Sequence, residues 1–75
     1  MPEDDRAYRI SRFVKAELKR HKVSYEELAR RLNESGGQET KASIANKLSR
    51  SQFSNIFFVD SLRAIGIKRI DLSDV

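Results

Sequence analysis

Apolar residues recur at helical spacing in four stretches of the chain, and polar or glycine-containing segments separate these stretches. In the first stretch, one stripe holds Ala7, Ile10, Val14, Leu18 and His21. This spacing predicts an amphipathic helix from about Asp5 to His21, with its arginines and lysines lying away from the stripe. Residues 1–4 are expected to be extended or disordered.

The second stretch has the clearest start signal. Ser24 is a favourable N-cap, and Glu27 stands three residues later, which is the spacing of a reciprocal capping box. The predicted inner face is formed by Leu28, Ala29 and Leu32. The segment Ser35-Gly36-Gly37 is expected to end this helix, because glycine adopts the left-handed conformation at little cost.

The third stretch predicts a helix from about Thr40, its N-cap, to Arg50. Three residues point inward, namely Ile44, Ala45 and Leu48. The opposite face carries Ser43, Asn46 and Arg50, with Lys47 at its edge. This outer face has little apolar content, and core packing does not account for its composition.

The fourth helix is expected to begin after Ser54 and to stop at Gly66. Its predicted inner stripe consists of Phe58, Leu62 and Ile65, which leaves Ile56 and Phe57 off the stripe. The pattern as a whole predicts an all-α fold with four helices in a single domain.

The tail, residues 67–75, follows the fourth helix. Residues 68–72 alternate between polar and apolar side chains, which predicts a short extended strand. An unpaired strand exposes its backbone groups, so Ile70 and Leu72 are candidate residues of an antiparallel dimer interface. Alternatively, these two side chains cover the base of the first and fourth helices.

The charge distribution favours a polyanionic partner. The whole chain has a net charge of +4, but residues 6–69 hold 15 basic against 6 acidic residues, a net charge of +9. A basic body of this size suits nucleic acid. The alternative is a well-solvated helix surface.

The residues that would support catalysis or metal binding are scarce. The chain has no cysteine and a single histidine, His21, for which a core or capping role is predicted. We therefore expect no enzymatic activity, no metal and no cofactor. The longest apolar run, residues 56–59, is too short to span a bilayer, and the acidic N-terminus argues against a secretory signal, so a soluble cytoplasmic protein is predicted.

The order of the helices resembles the lambda-repressor and Cro type of helix-turn-helix domain over roughly residues 12–72. The segment VSYEELARRL is similar to the first helix of that motif, KASIANKLSR to its reading helix and FFVDSLRAIGI to the helix that completes the core. ANKLSR, the following Phe53 and FFVDSLRAIG together also resemble a small bacterial domain family of unassigned function.

The resemblance implies a bacterial or phage transcriptional regulator that binds double-stranded DNA as a dimer. The departure from the family is the turn, in which residues 34–38 are inserted. An added loop costs only about 0.6 kcal/mol per doubling of its length, so the fold should tolerate it. The insertion leaves open the angle between the second and third helices.

Under this interpretation the third helix reads the major groove. Its candidate contacts are Ser43, Asn46, Lys47 and Arg50, because asparagine can pair with adenine and arginine with guanine there. Lys41 or Lys47 would suit a phosphate. The alternative for all of them is a solvated helix face.

Two further positions flank this helix. The backbone N–H groups at Ser24 and Tyr25 can hold a phosphate, although ordinary helix capping explains the same residues. Glu39 could accept from cytosine or cap the third helix, and we favour the cap.

A second class of function uses the same fold as a protein-interaction module, for example a phage-encoded inhibitor of a host protein. Ile56 and Phe57 would then form an apolar patch. A basic outer face on the third helix would favour DNA, whereas an apolar or acidic face would favour a protein partner.

Overall fold

The computed structural model describes residues 5–75, and the predicted all-α fold is confirmed over that range. Its four α-helices are α1 (Asp5–Arg20), α2 (Tyr25–Glu34), α3 (Lys41–Arg50) and α4 (Asn55–Ile65). A 3₁₀ helix, Leu72–Asp74, follows near the C-terminus. The prediction for residues 1–4 lies outside the described residues. None of the helices within residues 5–75 has the length and apolar content that a membrane span requires.

Side-chain hydroxyls start three of the helices. Ser24, Thr40 and Ser54 each accept a hydrogen bond from the backbone N–H three residues later. The capping box predicted at Ser24 is only half formed, because the Glu27 carboxylate is bound by arginines of α2 instead. The reciprocal box occurs at α3, where Thr40 and Ser43 each accept from the other's backbone N–H. There the short serine side chain replaces the glutamate of the usual motif.

All four helices contribute to one apolar core. α2 packs against α3 and α4, and α1 packs against the same two helices. The buried apolar residues are Phe13, Val14, Leu18, Val23, Leu28, Ala29, Leu32, Ile44, Leu48, Phe57, Leu62 and Ile65. The α2–α3 pair is therefore packed against α1 and α4 on its inner side, and the outer face of α3 points away from the core.

The inner face of α4 differs from its prediction by one residue. Phe57 is buried, whereas Phe58 is only half-buried. Adjacent residues of an α-helix point about 100° apart, so Phe57 and Phe58 lie on the two sides of the inner face, and the sequence pattern does not decide which of them is buried. The ring of Phe53 lies 5.4 Å from that of Phe57 and 6.5 Å from that of Phe58, so all three pack together at the start of α4.

Two serines are buried in this core, and they differ in their hydrogen bonding. The Ser11 hydroxyl of α1 donates to the backbone carbonyl of Leu48 at 2.9 Å, which links α1 to the last turn of α3. The Ser61 hydroxyl of α4 is fully buried and has no partner among the described residues. The hydrogen bond of the Ser11 hydroxyl therefore replaces the bonds to water that it loses on burial, whereas the Ser61 hydroxyl has no such replacement among the described residues.

The end of α1 contradicts the core role predicted for His21, whereas the capping role stays a prediction. The helix stops at Arg20, and Lys22 adopts a left-handed conformation with φ of 58°. His21 is exposed, with its Nε2 3.5 Å from Oε1 of Glu17. The change of chain direction at Lys22 places Val23 in the core, so Val23 is the next buried apolar residue after the stripe of α1.

The predicted strand at residues 68–72 is wrong. Residues 67–71 form neither helix nor strand, and the Asp71 carboxylate accepts from the backbone N–H and the hydroxyl of Ser73, which starts the 3₁₀ helix. These hydrogen bonds lower the pKa of Asp71. Ile70 is half-buried against the core, whereas Leu72 is 82% exposed. No second strand is present among the described residues for residues 68–72 to pair with. The position of this segment therefore depends on the packing of its side chains, such as Ile70, against the core.

Candidate nucleic-acid interface

The outer face of α3 presents two polar side chains, those of Asn46 and Arg50, which are exposed and form no side-chain hydrogen bond or ion pair within the described residues. Lys41, in the first turn of α3, is also exposed and unpaired within residues 5–75, but it lies nine residues before Arg50 and therefore on the other side of the helix. Ile44 and Leu48 are buried on the opposite face and fix the rotation of the helix. Asn46 and Arg50 stand one helical turn apart, so their side chains project to the same side. A ligand can approach both without displacing the core.

The other two predicted contacts of α3 are bound to Glu39. The Ser43 hydroxyl lies 2.7 Å from Oε1 of Glu39, and Nζ of Lys47 lies 2.5 Å from Oε2. Each carboxylate oxygen therefore has its own donor. Glu39 does not cap a backbone N–H, and Thr40 supplies the cap, which corrects the capping role that we favoured for Glu39. In this conformation Ser43 and Lys47 are not free to bind a phosphate.

Lys47 has a second neighbour that holds it in place. Its Nζ lies 4.7 Å from the centre of the Phe57 ring, at the distance of a cation–π contact. The ammonium group is thus enclosed by a carboxylate from the turn and an aromatic ring from α4. This arrangement orients the lysine towards the α4 side of α3, whereas Asn46 and Arg50 remain solvated.

The enlarged turn between α2 and α3 is closed by one side chain. The Asn33 amide donates to the backbone carbonyl of Glu39 at 2.9 Å and accepts from the backbone N–H of Glu39 at 2.7 Å. Gly36 adopts a φ of 98°, which favours glycine. A Cβ at Gly37 would lie 3.0 Å from the backbone carbonyl oxygen of Leu32. The turn is therefore exposed, but the Asn33 amide fixes its two ends and thereby positions Glu39.

At the start of α2, the capping interaction uses the Glu27 N–H and leaves the predicted phosphate contact at Ser24 and Tyr25 a prediction. The Ser24 hydroxyl accepts from the backbone N–H of Glu27 at 3.0 Å. Tyr25 is half-buried and packs against the core. The aromatic ring of Tyr25 therefore contributes to packing, and the N–H groups of the first turn are what this end of α2 can offer an anion.

Two basic residues of α2 are committed to other groups of the protein. Arg30 forms ion pairs with Glu27 and Glu34, and Arg31 binds Glu27 and donates to the backbone carbonyl of Ala64 at 2.9 Å. Hydrogen bonds from Arg30 and then Arg31 lower the pKa of Glu27 to about 2. Arg31 thereby joins α2 to the last turn of α4. These arginines therefore stabilise α2 and its contact with α4, against which α3 is positioned.

Two contacts that shape this site were not predicted from the sequence, although the residue type and position of each give a weak indication of it. Asn33 lies at the end of α2, where an amide commonly bonds the following backbone. Ser11 is a small polar residue between apolar positions of α1, which indicates burial with a backbone partner. Neither signal identifies the partner, because Glu39 and Leu48 are brought to these side chains only by the turn and by tertiary packing.

A family model matches most of the chain. No curated protein and no solved structure matches the chain. Residues 7–70, which include all four helices except the first two residues of α1, match the family described as Domain of unknown function (DUF6471). The chain therefore belongs to the DUF6471 family.

Proposed function

We propose that this protein binds duplex DNA and acts as a small bacterial or phage transcriptional regulator in the cytoplasm. In this proposal α2 and α3 form a helix-turn-helix of the lambda-repressor type with an enlarged turn. The observation that carries it is the outer face of α3, where Asn46 and Arg50 are exposed and form no side-chain hydrogen bond or ion pair within the described residues.

The chemistry of this face suits the major groove. Asparagine offers a donor and an acceptor to the edge of adenine, and arginine offers two donors to guanine. Asn46 and Arg50 stand four residues apart, so both can reach the base edges from one helix. Lys41 lies in the first turn of α3, where the helix dipole also favours a phosphate. Base reading and backbone binding are thus available on the same helix.

The electrostatics support the same partner. The net charge of +9 over residues 6–69 favours a polyanion. Four of the six acidic residues in this range are engaged in ion pairs within the protein, namely Glu17, Glu27, Glu34 and Glu39. Most of the affinity would come from phosphate contacts, and most of the sequence preference from α3.

The test is binding of the purified protein to a pool of random duplexes, followed by titration of the selected duplex at several salt concentrations. We expect enrichment of a defined site. Each phosphate contact should add about 0.9 to the slope of log affinity against log salt concentration. No binding at low salt, or affinity that does not change with salt, would contradict the proposal.

A second candidate function is a protein-interaction module, and one surface of α4 favours it. Ile56 is 73% exposed and Val59 is 42% exposed, and the two residues share one face of the helix. Phe57 does not belong to this patch, because it is buried. Under this candidate, Ile56→Asp would abolish capture of the partner without changing the fold, whereas DNA binding would be absent in the wild-type protein.

A further inference from the structure

The exposed side of α1 carries a regular row of one aromatic and three basic residues. Tyr8, Arg12, Lys15 and Lys19 follow the spacing i, i+4, i+7 and i+11, and all four are exposed. This spacing places them on one face of the helix, here named the α1 stripe. No residue of the candidate duplex interface described above belongs to this row.

The three cations of the stripe are not neutralised within the described residues. No ion pair or side-chain hydrogen bond is formed by Arg12, Lys15 or Lys19. By contrast, Glu17, the one acidic side chain described on α1, is turned away to pair with Arg20. The stripe thus presents three positive charges over about 10 Å of helix length without a competing carboxylate.

The aromatic member of the stripe is placed for stacking. Tyr8 is 51% exposed, although most aromatic residues of this chain pack against the core. The guanidinium carbon of Arg12 lies 5.7 Å from the centre of the Tyr8 ring. A tyrosine in contact with an arginine offers a flat surface next to a positive charge, which suits a base and its phosphate.

We propose that the α1 stripe binds single-stranded nucleic acid. Lys15, Lys19 and Arg12 bind successive phosphates, and an unpaired base stacks on the Tyr8 ring. A duplex hides the faces of its bases, so it would leave the tyrosine without a role. A membrane surface would require exposed apolar side chains beside the cations, but Phe13, Val14 and Leu18 of α1 are buried in the core.

The experiment measures fluorescence anisotropy of labelled 15-nucleotide oligo(dT) and oligo(U) with the full chain. Tyr8→Ala should weaken binding by roughly fivefold to a hundredfold, which is the range for one stacked base, and Tyr8→Phe should retain it. The double variant Lys15→Ala/Lys19→Ala should weaken binding and lower the salt slope by about 1.4, at about 0.7 for each phosphate of a single strand. Stronger binding of one oligonucleotide would identify DNA or RNA as the preferred strand.

A matched control removes the same charge elsewhere. Lys68→Ala/Arg69→Ala deletes two exposed cations of the tail that lie outside the stripe, and it should weaken binding less than the α1 double variant. Circular dichroism verifies that each variant is folded. Equal effects of the two double variants would show general charge attraction and overturn the proposal. Wild-type affinity for Tyr8→Ala, or no binding by the full chain at low salt, would also overturn it.

Discussion

Glu39 holds Lys47 through an ion pair of 2.5 Å across the junction between the turn and α3. The side chain of Glu39 is only 16% exposed, so this pair is better shielded from water than an ordinary surface pair. The same carboxylate accepts from Ser43. Glu39 thus occupies two groups that the sequence predicts as DNA contacts, and a phosphate would have to compete with it.

Glu39→Gln is expected to strengthen duplex binding. Removal of the carboxylate charge releases Lys47 for a phosphate, so the salt slope should increase by about 0.9. Binding isotherms at several salt concentrations measure both quantities. Asp74→Asn is the control, because it removes the same charge from the exposed tail; an equal gain in that variant would show that Glu39 acts only through net charge.

Asn46→Ala and Arg50→Ala are expected to relax sequence preference, at a cost of about 1–3 kcal/mol each for the preferred site. Lys41→Ala should weaken binding to all sequences alike, because a phosphate contact carries no base information. Competition between the selected duplex and a scrambled duplex distinguishes the two results. If both outer-face variants keep the wild-type preference, α3 does not read the sequence.

Ser11→Ala and Ser61→Ala should change stability in different ways. Loss of the Ser11 hydrogen bond leaves the Leu48 carbonyl without its donor from α1, so the free energy of unfolding should fall by about 1–2 kcal/mol. Ser61→Ala removes a buried hydroxyl that has no partner among the described residues, so stability should be unchanged or greater. Urea unfolding compares the two directly. Equal destabilisation would mean that the Ser61 hydroxyl is satisfied in solution.

Acid should destabilise the protein partly through Glu27. Its pKa is about 2 in the folded chain, below the ordinary value of 4.5. Because the pKa of Glu27 is lower in the folded than in the unfolded chain, its ionised carboxylate increases the free energy of unfolding above about pH 4.5. This contribution is lost as the pH falls towards 2. The Tm of Glu27→Gln should therefore depend less on pH over this range than that of the wild type.

The neighbouring Glu26 provides the control for that experiment. It is exposed and forms no ion pair among the described residues. Glu26→Gln should keep the wild-type dependence of Tm on pH. The role of the arginine pairs would be contradicted if both variants lost the acid dependence to the same extent.

Dimerisation, if it uses the tail, should depend on Leu72 more than on Ile70. Leu72 is exposed and available to a second copy, whereas Ile70 packs against its own core. We expect Leu72→Glu to convert a dimer to a monomer in sedimentation without loss of stability. A wild-type protein that is monomeric at high concentration, or a variant that still dimerises, would exclude this interface.

The helices were predictable because their signals are local. The hydroxyl caps at Ser24, Thr40 and Ser54 and the glycine at position 66 mark helix ends through neighbouring backbone groups, and the structure confirms them. The strand at residues 68–72 was not predictable in the same way. Alternation identifies an extended segment, but pairing requires a second strand that the sequence of one tail does not provide.

The candidate site was predictable only in part, because its exposed and its paired members look alike in the sequence. Periodicity identifies which residues of α3 face outward, and Asn46 and Arg50 do so. Periodicity does not show that Lys47 meets a carboxylate eight residues earlier. That contact depends on the path of the turn, which in turn depends on Asn33.

The two hydrogen bonds of the Asn33 amide hold together the two ends of the loop formed by residues 34–38, directly before α3 begins. Residues 35–38 are exposed. A change in the length of this loop should therefore leave α3 in place, provided that Asn33 and Gly37, which packs beside Leu32, are kept. For protein engineering, the same segment is a suitable position for inserting a label or a short affinity tag.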